Sequence, residues 1–209
     1  REDKALELCH VARDRDPDVG ASYLLPGFGQ ETWADPRHYL TLLDREVKRR
    51  PGSALLYAER AELKRDPRLC LYTEALEDYA QAARLAPKAA WVLAVLARAL
   101  NKAGDARTGL AEFDRAAALA PHSGWLRAWR GAALARAGEA ERALADFAEA
   151  ARLMPWYPFT YAWRGALLVR AKRYEEAASD LDVAVALDPH YSFSRYERCK
   201  ARLGRRDYE

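Results

Sequence analysis

A metal centre or a nucleophilic site in this chain would have to be assembled from His10, His38, His122 and His190 or from Cys9, Cys70 and Cys199. Neither set has metal-ligand spacing, alone or combined, and no nucleophile-base-orienter arrangement stands out. Asp14, Asp16 and Asp18 alternate like the start of a calcium loop. Val19 sits where glycine is needed, however, and Leu25 falls at the final ligand position. Gly27-Phe28-Gly29 lacks the third glycine and the Lys-Ser/Thr ending of a phosphate loop. The spacing that stands out is aromatic. Tyr57, Trp91, Trp125, Phe159 and Phe193 recur every 34 residues, and Trp129 and Trp163 each follow an aromatic by four. Rings at that spacing lie over one another on a helix and present large, rigid apolar area to a partner. Arg98, Lys102, Arg136 and Arg170 run in columns of the same period. Their chemistry is recognition rather than catalysis, so no enzyme activity is expected of this chain alone, and no cofactor.

The elements that must position these residues follow from the same period. Pro87, Pro121, Pro155 and Pro189 are 34 apart, and each closes an Ala-rich phrase. Upstream of each phrase stands a large residue (Tyr79, Phe113, Phe147, Leu181). Further upstream come two small columns, Ala75, Gly109, Ala143, Ala177 and Leu63, Ala97, Gly131, Gly165. Small and large residues at these spacings give helices that approach closely along one face. The proline ends the second helix, and Gly104 and Gly138 break the chain between the two helices of their units. Each unit is thus a helical hairpin that needs a neighbour for burial.

These columns resemble the tetratricopeptide repeat, with repeats at 56–89, 90–123, 124–157 and 158–191. The first departs most, because Leu63 replaces a small residue and Pro67 interrupts its turn. A partial fifth unit continues through Cys199 and Tyr208, so 192–209 is either the first helix of another repeat or a C-terminal cap, for which Arg195, Arg198 and Arg202 would supply a polar face. Residues 1–55 differ. A helix over 2–13, a long loop and a helix opened by Asp35-Pro36 read as an irregular cap on the array. The expected fold is all-α, a right-handed α-solenoid of antiparallel helix pairs.

The resemblance implies a concave groove lined by the first helix of each pair, and hence a protein-protein interaction scaffold that binds a peptide or partner segment. Tyr57, Trp91, Trp125, Trp129, Phe159, Trp163 and Phe193 would be its apolar anchors, edged by Arg98, Lys102, Arg136 and Arg170. The alternative for the rings is that they fill the seam between repeats, and the basic column at Lys102, Arg136 and Arg170 has a ready structural reading, since cations in a last helical turn answer the helix dipole. A basic edge favours an acidic partner. The chaperone-tail clamp of the family is not matched, since Arg60 and Lys64 meet Val95, Trp125 and Trp129. Binding of a chaperone C-terminal tail is therefore not expected. Arg130, Arg164 and Arg198 form a further column whose heads are expected to reach helix carboxylates.

Of 209 residues, 34 are basic and 31 acidic. The resulting net charge of +3 is too small to argue for nucleic acid. No apolar run is long enough for a membrane span. Three cysteines without a CxxC pair suit a reducing compartment, so a cytoplasmic location is expected. The start at Arg1 lacks an initiator Met, and the chain reads as a piece of something longer. Two alternatives accompany the scaffold: a non-catalytic, substrate-presenting region of a larger enzyme such as a glycosyltransferase, and a homo-oligomer assembled through array ends.

Overall fold

The computed structural model describes residues 35–205. The expected helix 2–13, the loop that follows it, Cys9, His10, the Asp14 to Asp18 run, Gly27-Phe28-Gly29 and Tyr208 lie outside them. Every regular element among the described residues is a helix.

Two compact units divide between Leu119 and Ala120. The first contains α1 (Pro36–Arg49), α2 (Ala54–Lys64), α3 (Tyr72–Leu85), α4 (Ala90–Lys102) and α5 (Ala106–Leu119). Asp35 caps α1 by accepting a hydrogen bond from the Arg37 amide at 3.0 Å, and Pro36 occupies the first turn, where its missing N–H costs nothing. α1 packs Leu43 and Val47 on Leu56 and Leu63 of α2. α2 pairs with α3, and α4 with α5.

The second unit contains α6 (Gly124–Arg136), α7 (Ala140–Leu153), α8 (Pro158–Arg170), α9 (Tyr174–Leu187) and α10 (Ser192–Arg205). α6 pairs with α7 and α8 with α9, while α10 packs on both α8 and α9. The small columns act as expected. A methyl group on Gly165 of α8 would come within 2.6 Å of Leu181 of α9, so the two backbones close only because no Cβ intervenes. Phe147 and Leu181, the large members, are fully buried.

The turn inside each hairpin uses one left-handed residue at the same place in the repeat. It is glycine at Gly104 (φ 95°) and Gly138 (φ 85°), but Cys70 (φ 54°) and Lys172 (φ 58°) adopt the same hand with side chains present. The first hairpin is the irregular one. Its α2 stops at Lys64, and residues 65–71, including Pro67, carry the chain to α3.

α10 presents Arg195, Cys199, Arg202 and Leu203 exposed. Leu168 and Leu134, one and two periods before Arg202, are buried. This helix therefore carries charge where its predecessors meet a second helix.

Candidate partner-binding site

On an α-helix, residues at i, i+4, i+7 and i+11 share one face. On α6 that face carries Trp125, Trp129, Ala132 and Arg136, and on α8 it carries Phe159, Trp163, Ala166 and Arg170. α6 and α8 pack against each other, so the two stripes lie side by side, rings toward the N-terminal ends and guanidinium groups at the last turns.

The rings form a connected ladder. Trp125 and Trp129 meet edge to face with centroids 5.1 Å apart. The Trp129 indole Nε1–H donates to the Tyr157 hydroxyl at 3.2 Å. Tyr157 stacks on Phe159 (5.1 Å), and Phe159 meets both Trp163 (5.7 Å) and Tyr191 (4.8 Å). One period on, the Trp163 indole donates to Tyr191, which stacks on Phe193 at 5.7 Å. Burial raises the Tyr191 pKa, and the bond from Trp163 offsets part of that rise. Tyr157 and Tyr191 escaped the sequence reading. They too are 34 apart, and tyrosine appears in that column only where tryptophan fills the column it bonds; earlier units have Ala61 with Ala89 and Val95 with Ser123.

The rings differ in burial. Trp125 and Trp129 are only 8% and 4% exposed, so they pack the interior. The Trp125 Nε1 atom is buried without a hydrogen-bond partner among the described residues. Phe159, Trp163 and Phe193 are half-buried and keep ring surface in solvent.

Beyond the rings, the floor is alanine. Ala132, Ala135 and Ala166 are half-buried, and Ala128 and Ala162 are fully buried beside them. Arg136 and Arg170 are exposed, and neither has a carboxylate within ion-pair distance among the described residues. Local desolvation lowers the Arg136 pKa from its ordinary value, with no carboxylate to compensate.

Most of the other arginines described in this unit are ion-paired, exposed Arg195 being an exception. Asp146, buried, accepts from Arg130 Nε and Nη2 at 2.7 Å each and lies 3.4 Å from Arg127. Asp180 holds Arg164 in the same fork at 2.6 and 2.5 Å. The column of Arg130 and Arg164 therefore does reach helix carboxylates. Its third member, Arg198, makes only a 3.5 Å contact with exposed Asp182.

The equivalent face in the first unit is engaged internally. Arg98, expected at the groove edge, pairs with Glu62, which also accepts from Arg65 at 2.7 Å. Burial would push the Glu62 carboxyl up, but Arg98 and Arg65 outweigh it and hold it below the ordinary range. Burial drives the neighbouring Tyr79 phenol the other way, upward. Lys102 is exposed and adds its charge to the same cluster. Asp78 is gripped by Arg60 at 2.6 Å and Lys64 at 2.7 Å. Tyr57 and Trp91 are half-buried against Ala58, Ala82 and Val92, and the Arg60 guanidinium lies 5.4 Å from the Tyr57 ring centre.

Among the described residues, no three His, Cys, Asp or Glu side chains are grouped to hold a metal ion, and no helix is long and apolar enough to cross a membrane.

No family model and no curated protein matches the chain in sequence. Solved structures do match in fold. TTC0263, a thermophilic TPR protein of Thermus thermophilus, aligns with a TM-score of 0.68 at 23% identity, over 80% of this chain and 91% of that one. The APC/C hetero-tetramer Cut9-Hcn1 aligns with a TM-score of 0.75 at 16% identity, over 97% of this chain and 40% of that one. YrrB, described as a TPR protein with an unusual peptide-binding site, aligns with a TM-score of 0.59 at 17% identity, over 91% and 97%.

The fold is that of the tetratricopeptide repeat proteins. In tetratricopeptide terms α2, α4, α6, α8 and α10 are first helices of successive units. The two stripes on α6 and α8 therefore occupy the face on which the resemblance expects a partner.

Proposed function

We propose that this chain is a protein-interaction module, and that its partner segment docks on the first helices of residues 120–205. Apolar side chains of the partner meet Phe159, Trp163 and Phe193, and acidic groups meet Arg136 and Arg170. One observation carries the reading: among the described residues, two exposed guanidinium groups without carboxylate partners share their helix faces with aromatic rings, while the other arginines are mostly ion-paired. The reading is also supported by solved neighbours of the same fold whose descriptions name peptide binding, YrrB among them. A rigid, preformed surface limits the entropy lost when a flexible segment docks. The free, exposed thiols of Cys70 and Cys199 go with a reducing compartment such as the cytoplasm.

The test is site-directed photocrosslinking in cells that make the protein. A benzophenone amino acid at Ala166, on the stripe, should capture a partner, and the band should vanish when Arg136→Glu and Arg170→Glu are added. The same group at exposed Ala148 of α7 should capture nothing. Equal capture at both positions, unaffected by the arginine changes, would contradict the proposal.

A further inference from the structure

The stripe faces of α6 and α8 constrain the conformation of whatever lies on them. An extended peptide carries a row of backbone N–H and C=O groups that must find partners once water is displaced. The stripes offer almost none. Their floor is Ala132, Ala135 and Ala166, flanked by Ala128, Ala162 and Val169. Trp129 and Trp163 already donate to Tyr157 and Tyr191. No Asn, Gln, Ser or Thr stands on either stripe, and the arginines lie at one end only. A helix, by contrast, satisfies its backbone internally and needs only side-chain contacts.

Dimensions agree. The Trp-to-Arg distance along each stripe is seven residues, Trp129 to Arg136 and Trp163 to Arg170, which at the helical rise is about 10 Å. That is roughly the width of an α-helix with its side chains. Neighbouring helix axes stand about 8–10 Å apart, so Arg136 and Arg170 face a docked helix about two turns apart.

Resting on the docking surface proposed above, we infer that the occupant is an amphipathic helix with an acidic edge, laid across α6 and α8. Its apolar stripe rests on the rings and alanines, and acidic residues spaced by about seven positions reach Arg136 and Arg170. Charge complementarity fixes the orientation, because reversing the helix end to end on the surface would bring the acidic edge onto indole and leave the two arginines against the opposite flank.

The experiment is selection of phage-displayed random 16-residue peptides against the intact protein, followed by synthesis of enriched clones. The expected clones repeat apolar residues at three and four, carry Asp or Glu on one flank, and gain helical circular dichroism on binding. Their affinity should fall tenfold or more with Arg136→Ala plus Arg170→Ala. It should also fall with Ala166→Glu, which sets a like charge on the floor and leaves the Trp–Tyr bonds untouched. Both arginines are exposed, and thermal melts would verify that the variants fold. Clones that alternate with a period of two, or tolerate a central proline, and still depend on these residues would overturn the helix while leaving the docking surface intact. Clones indifferent to all three residues, or no enrichment, would overturn both.

Discussion

Hairpin α2/α3 of the first unit and hairpin α6/α7 of the second share a backbone plan but close their seams with different chemistry. The first is closed by small residues, Ala58, Ala82, Ala86 and Ala89 around Val92, and by the Glu62, Arg65 and Arg98 cluster. The second is closed by rings, Trp129 bonded to Tyr157 and Tyr157 stacked on Phe159. A bulky indole replaces Ala61 or Val95 in its column, and a tyrosine answers it one loop later. The difference has a consequence for charge. Where ion pairs close the seam, the cations of the first helix are consumed by it, as Arg60, Lys64 and Arg98 are. In the ring-closed unit Asp146 and Asp180 likewise take up Arg130 and Arg164, but Arg136 and Arg170 have no carboxylate partner among the described residues. Basic columns that look alike in sequence are therefore paired differently in the two units.

Breaking the first seam should have the largest effect. Glu62→Ala leaves Arg98 and Arg65 facing each other without their carboxylate, and loss of one member of a buried pair costs about 3–5 kcal/mol. Urea unfolding would measure it. The same site gives a pH signature. Because the Glu62 carboxyl is held below its ordinary value near 4.5 in the folded state, its stabilisation is present above that value and is lost as the pH falls through the depressed one. The stability gap between wild type and Glu62→Gln should therefore narrow on acidification.

Next comes close packing in the second unit. Gly165→Ala drives a methyl group against Leu181, at a cost of about 1–3 kcal/mol. Ala97 holds the same column in the first unit, fully buried, so that unit already accommodates the methyl group. Tyr157→Phe tests the ring seam itself. It strands the Trp129 indole N–H and should cost about 1–3 kcal/mol, read from the denaturation midpoint. The smallest effect is at a turn. Lys172 holds a left-handed backbone that Gly138 adopts freely, so Lys172→Gly should raise stability by up to about 1 kcal/mol, seen as a slightly higher melting temperature.

The hairpins were readable from the sequence because their columns are steric. Gly165 opposite Leu181 and proline after the last apolar turn follow from size and backbone rules that act locally. The α1 cap at Asp35-Pro36 was readable for the same reason. The seams were not. Whether Trp129 lines a surface or fills a seam depends on what stands opposite, and that partner, Tyr157, lies 28 residues on. Arg98 and Arg136 look alike as members of basic columns until Glu62 is placed against one of them and, among the described residues, no carboxylate against the other. Had the Tyr157 and Tyr191 column been set beside the Trp129 and Trp163 column, their joint appearance would have pointed to the bond.

The most direct test of the division between the two units is side-chain NMR of the intact protein during titration with a selected acidic peptide. The account predicts that the Nε–H signals of Arg136 and Arg170 and the indole signal of Trp163 shift and saturate together, while those of Arg60, Arg98 and Trp91 stay in place. Shifts confined to the first unit, or a bound peptide that leaves Arg136 and Arg170 unmoved, would contradict it.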